Sequence, residues 1–166
     1  ILGTVERATG NPDKAIERFG ATLALKPDFS ICRLDLCRLL FERGLVQEAK
    51  NVVQAGIAVE PDSADLHYYL GNLHHEAREL DAAVKSFQKA SALQPDYAPA
   101  HQSLAIVLQM SGKLDAAIDS YRRAITLAPD AVDLHSNLGT ALQAQGKLDA
   151  AAAAYRTSRK FCRARS

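Results

Sequence analysis

A proline–aspartate pair occurs at Pro27-Asp28, Pro61-Asp62, Pro95-Asp96 and Pro129-Asp130, each 34 residues after the one before. A fixed period of that size means that one small supersecondary unit is copied along the chain. Such a unit cannot bury its apolar face alone. Copies therefore stack into a solenoid in which each unit contacts its neighbours, and the product is an extended surface rather than a compact core around a catalytic centre.

Other columns obey the same period. Leu2, Leu36, Leu70, Leu104 and Leu138 coincide, and a small residue follows each: Gly3, Cys37, Gly71, Ala105 and Gly139. Gly10, Gly44, Gly112 and Gly146 share a column in which Arg78 is the exception. Alanine stands at 15, 49, 83, 117 and 151, with Phe19, Val53, Phe87, Tyr121 and Tyr155 four residues on. Apolar residues at helical spacing, such as Leu80, Ala83, Val84, Phe87 and Ala90, make each unit two amphipathic helices. Spans are predicted at 30–43, 46–59, 64–77, 80–93, 98–111, 114–127, 132–145 and 148–162. The glycine column suits a left-handed residue that ends the first helix, and Arg78 is expected to hold that geometry at a cost of ~1–2 kcal/mol. The small and alanine columns let two helices approach closely, with the aromatic filling the gap. Proline ends the second helix because it lacks an N–H and clashes with the preceding turn. The aspartate after it is expected to cap the next helix or to favour its positive end.

These columns resemble the tetratricopeptide repeat, a helix–turn–helix unit of 34 residues. The segment 64–97 carries most of the markers: Leu70, Gly71, Ala83, Phe87, Ala90 and Pro95. The resemblance covers the whole chain and implies an all-α, right-handed α-solenoid. It divides a single domain, 1–166, into a half-repeat at 1–29 and repeats at 30–63, 64–97, 98–131 and 132–166. Ile1 then falls inside a first helix, which reads as a fragment of a longer protein. The repeat ends are expected to expose apolar edges and to support self-association. The unit 30–63 diverges most, with Arg33, Val53 and Gly56 at column positions. Arg33, His67, His101 and His135 replace the family's large aromatic, so these first helices are expected to pack more loosely.

Composition narrows the function. Net charge is +1 and 48% of residues are apolar, so no electrostatic pull toward nucleic acid or an anionic membrane is expected. No apolar run approaches the ~20 residues of a membrane span, and a cytoplasmic location is expected. The basic run Arg156, Arg159, Lys160, Arg163 and Arg165 suits the negative end of a last helix. Cys32, Cys37 and Cys162 have no metal-like spacing and read as buried, inert thiols. His67, His101 and His135 lie one repeat apart, which separates neighbouring helices by about 8–10 Å, whereas metal ligands must converge to ~2 Å of one ion. His74 and His75 are adjacent and point to different faces of a helix. There is no glycine-rich phosphate loop and no nucleophile elbow. Asp65, His75 and Glu76 make a polar surface without a catalytic arrangement. The chain is expected to be no enzyme and to hold no cofactor or metal.

The resemblance implies that the first helix of each unit lines a concave groove. Its columns fall on Ile31, Leu34, Arg38, Phe41 and Glu42, on Asp65, Tyr68, Asn72, His75 and Glu76, on Pro99, Gln102, Ile106, Gln109 and Met110, and on Asp133, Ser136, Thr140, Gln143 and Ala144. The expected peptide-contacting residues are Phe41, Tyr68, Asn72, His75, Gln102, Ile106, Gln109, Ser136 and Asn137, with Phe41 as apolar anchor and the amides bonding along the ligand. One subtype of the family grips a peptide carboxylate with lysines, asparagines and an arginine. Only Asn72 matches it, while Tyr68, Ser103, Asp133 and Asn137 do not. Tyr97–Gln109 and His135–Gly139 are similar to repeats that precede protein O-linked glycosyltransferases, whose groove carries an asparagine ladder. Asn137 matches that ladder, and Asp35, Tyr69 and Ser103 do not. The expected function is a scaffold binding a protein or peptide segment. The alternative is the substrate-recognition arm of such a transferase.

Overall fold

The structure, a computed structural model, describes residues 11–164. Among these residues the chain forms nine α-helices and no strand: α1 (Pro12–Leu25), α2 (Ser30–Glu42), α3 (Val46–Val59), α4 (Ala64–Glu76), α5 (Leu80–Leu93), α6 (Ala98–Met110), α7 (Leu114–Leu127), α8 (Val132–Ala144) and α9 (Leu148–Ala164). The chain is an α-solenoid of helix pairs. The eight helices from α2 onward match the predicted spans closely, and α1 lies in the half-repeat 1–29, for which no span is predicted. The first helix of each pair stops one residue early, and α9 runs two residues further. The expectation that Ile1 lies within a helix falls outside the described residues.

The Pro-Asp pairs owe their period to the turn they build. Phe29 N–H bonds the Lys26 carbonyl, Ser63 that of Glu60, Tyr97 that of Gln94 and Ala131 that of Ala128, at 3.1–3.2 Å. Proline and aspartate are thus the two central residues of a four-residue turn, where proline's fixed φ is already correct. This corrects the expectation of aspartate capping. The N-cap positions fall one residue later, on Phe29, Ser63, Tyr97 and Ala131, and none makes a side-chain cap bond.

Within each pair the first helix ends in a left-handed residue, as the glycine column requires. Gly44, Gly112 and Gly146 have φ of 73°, 73° and 80°, and Arg78 has 61°. The following N–H closes the end by bonding five residues back: Leu45 to Leu40, Glu79 to His74, Lys113 to Leu108 and Lys147 to Leu142, each at 2.9 Å. The small column works as a seat for the aromatic. A Cβ on Gly71 would stand 2.6 Å from the Phe87 ring, and one on Gly139 2.7 Å from Tyr155. The aromatic therefore lies directly on the backbone of its partner helix.

The histidine column is held by hydrogen bonds. His67, His101 and His135 each direct Nε2 to the carbonyl of Pro61, Pro95 and Pro129, at 2.9, 3.0 and 2.8 Å. A carbonyl only accepts, so Nε2 carries the proton. Arg33, in the same column, donates to the Pro27 carbonyl and to that of Val52 at 3.3 Å. Its longer side chain is 5% exposed and lies against Gly56, where the other units carry Ala90, Ala124 and Ser158. Arg33 and Gly56 are one exchange of volume. The column ties each interhelix turn to the helix that follows it.

The core is in two parts. One gathers Ala15, Phe19, Leu36, Cys37, Val53, Leu66 and Leu73 from α1 to α4. The other gathers Phe87, Leu104, Leu108, Ile118, Tyr121, Leu134 and Leu142 from α5 onward, with Tyr68 of α4 packed against it. Helix α4 thus presents Leu66 and Leu73 to one core and Tyr68 to the other. At the far end Leu148 is 66% exposed, whereas Val46, Leu80 and Leu114 in its column are half-buried.

Candidate functional site

Helices α2 and α4 are the first members of adjacent pairs, and they part at their C-terminal halves. The cleft between them has a volume of about 280 Å³ and is lined by Cys37, Arg38, Phe41, Tyr69, Asn72, Leu73, His75 and Glu76. Phe41 stays 37% exposed beside it. The helical register explains the lining. Phe41 and His75 stand in one column, as do Arg38 and Asn72, so each helix offers the same face. The buried thiol of Cys37 forms part of the floor, and burial pushes its pKa up to about 12. Burial also raises Cys32. Cys162 departs from the expectation of three buried thiols, because it lies exposed on the last turn of α9.

Of the nine expected contact residues, the cleft brings together Phe41, Asn72 and His75. Tyr68 lies next to them on α4, in a group of rings centred 5.2 Å from Tyr97, 5.7 Å from Phe87 and 6.1 Å from Tyr69. The Tyr97 hydroxyl donates to Asp65 at 3.0 Å. Burial and then Asp65 push the Tyr97 pKa up. Tyr68 is therefore also a packing residue.

His75 extends the site toward α6, its Nε2 lying 3.3 Å from the Met110 sulfur. On α6, Gln109 accepts a hydrogen bond from the Tyr121 hydroxyl at 3.1 Å through Oε1, and Gln143 on α8 accepts one from Tyr155 at the same distance. The core tyrosines thus hold these two amides in place, leaving each NH₂ for other work. Gln102 and Ile106 on α6, and Ser136 and Asn137 on α8, are half-buried and stand away from the cleft. The Ser136 carbonyl accepts from the Thr140 hydroxyl at 3.2 Å. Sequence columns missed Tyr69 and Leu73 as lining residues. The sequence carried no signal for them, since Cys37 at this junction stands in a column that is small in every unit. Among the described residues, no group of three or more His, Cys, Asp or Glu could hold a metal ion. No described helix is long and apolar enough to cross a membrane.

Stacked helix pairs, a left-handed turn within each pair and a Pro-Asp turn between pairs define a tetratricopeptide solenoid. Family models described as tetratricopeptide or TPR repeats match residues 6–73, 64–97 and 110–146. The chain belongs to the tetratricopeptide repeat family. It is similar to a crystal structure of MamA, at 25% identity over 99% of this chain and 96% of that one, with a TM-score of 0.92. MamA from Desulfovibrio magneticus RS-1, residues 41 to the end, superposes with a TM-score of 0.88 at 17% identity, over 98% of this chain and 92% of that one. The structure of YrrB, described as a TPR protein with an unusual peptide-binding site, superposes with a TM-score of 0.80 at 16% identity, over 96% and 82% of the two chains. No curated protein matches the sequence.

Proposed function

We propose that this chain is a non-catalytic interaction scaffold that holds a peptide or protein segment in the groove along α2, α4, α6 and α8. The observation that carries it is the cleft between α2 and α4, where exposed Phe41 stands beside Asn72 and His75. An apolar ring next to side-chain amide and imidazole groups suits a segment that inserts a side chain and bonds through its backbone. Gln102, Ile106, Gln109, Ser136 and Asn137 continue the groove. That YrrB is described as having a peptide-binding site agrees with this use of the fold. The scaffold forms one domain of units 30–63, 64–97, 98–131 and 132–166 after the half-repeat 1–29, acts in the cytoplasm, and can associate with itself where Leu148 leaves the last pair uncovered. It is not a surface for nucleic acid or membrane. The transferase-arm alternative needs an asparagine ladder, and only Asn137 supplies one.

The test is a photo-crosslinking amino acid placed at Asn72 or, separately, at Lys85 on the exposed face of α5. Adducts from a cell extract are mapped by mass spectrometry. Adducts confined to Asn72 are expected. Adducts confined to Lys85 would make the concave-groove reading wrong.

A further inference from the structure

Helices α4, α6 and α8 contain no lysine or arginine, whereas α5 and α7 between them carry Lys85, Lys89, Arg122 and Arg123. On α2, Arg33 is buried and Arg38 is half-buried, so the groove side of the stack is short of exposed cations in a chain whose net charge is +1. Among the described residues Arg38 is the one lysine or arginine that lines the cleft, and it is already paired with Asp35. Glu76 at the cleft and Glu42 beside Phe41 are exposed, and neither has a hydrogen-bond or ion-pair partner among the described residues. Both carboxylates occupy one column, a repeat apart, each directly after the ring of Phe41 or His75. In the next two units that column holds Met110 and Ala144. The negative charge is thus concentrated where the apolar cleft opens.

We infer that the segment this groove accepts is basic and apolar: one large apolar side chain enters the cleft against Phe41, and flanking lysine or arginine side chains meet Glu76 and Glu42. The inference rests on the groove reading above and adds the chemistry of the partner and its register, with the cationic part at the α2–α4 end. The carboxylates select more than they strengthen. Exposed ion pairs are worth roughly 0–1 kcal/mol each, but an acidic segment would set like charges against each other and lose association rate.

The test is fluorescence anisotropy on the whole chain with three labelled dodecapeptides. One alternates lysine with leucine and phenylalanine. The second has glutamate for lysine, and the third keeps lysine but has glycine for the apolar residues. The first should bind tightest and weaken as salt rises. Glu76→Gln and Glu42→Gln should each weaken it about two- to fivefold, the size of an exposed ion pair. Phe41→Ala should weaken it more, with the helical circular dichroism of every variant unchanged. Equal or tighter binding of the glutamate peptide overturns the inference and leaves the groove standing. So does lysine-peptide binding that Glu76→Gln and Glu42→Gln leave untouched while Phe41→Ala weakens it. Binding of the first peptide that ignores Phe41→Ala and Asn72→Ala, but is lost on Asp119→Asn on α7, overturns the groove reading as well. Failure of all three peptides to bind overturns the inference, and crosslinking at Asn72 then decides the groove separately.

Discussion

Arg78 holds φ 61° where the other pairs use glycine. A side chain in the left-handed region costs ~1–2 kcal/mol, part of which glycine gives back through a freer unfolded chain. Arg78→Gly should therefore raise stability by about 1 kcal/mol, read as a higher denaturation midpoint with an unchanged slope in urea. Gly71→Ala should act the other way. Its Cβ would meet the Phe87 ring at 2.6 Å, and that ring is fully buried with no room to retreat. Overpacking of this kind costs ~1–3 kcal/mol. Both effects were legible in the sequence, because a small or left-handed residue in a column states the backbone's demand directly. The Arg33–Gly56 exchange was not. Each residue looked like a separate lapse from the pattern, and only their contact shows that one makes room for the other.

At the scale of the element, the turn between pairs is where the sequence said least. Pro-Asp marked the place, but which group would meet the proline carbonyl depended on a side chain six residues on. The imidazoles of His67, His101 and His135 do so. Replacing His101 by Ala should cost about 1 kcal/mol, an ordinary net hydrogen bond. Hydrogen exchange at Tyr97 N–H, which closes that turn, should quicken selectively. The candidate site divides in the same way. Phe41, Asn72 and His75 follow from the helix face they share. The cleft itself does not, because it exists only where α2 and α4 part above Cys37, and nothing in either helix alone records that gap.

At the scale of the molecule, the two cores meet across α4, and a charged cluster stands there in place of apolar residues. Lys50 Nζ donates to Glu79 Oε2 at 2.7 Å, and His74 Nδ1 reaches the same oxygen. The equivalent positions one unit on are Val84, Leu108 and Lys113, and two units on Ile118, Leu142 and Lys147. Lys50 is buried, so its ammonium depends on that carboxylate. Lys50, then His74, hold the Glu79 carboxyl below its ordinary value. A depressed carboxylate contributes stability above its unfolded pKa, about 4.3, and loses it as pH falls through the lower folded value. Glu79→Gln should therefore reduce the melting temperature at pH 7, and the difference should shrink steadily below about pH 4 as the wild-type carboxyl is protonated. Because a solenoid's stability is summed over neighbouring contacts, the loss should be local. The Lys50 bond joins α3 to the turn after α4, so hydrogen exchange in Glu79→Gln should separate into two blocks, α1 to α3 and α4 to α9, that open independently. The combined change Lys50→Val, His74→Leu and Glu79→Lys, which copies the next unit, should rejoin them. If that variant still exchanges as two blocks, the charged cluster is not what joins them.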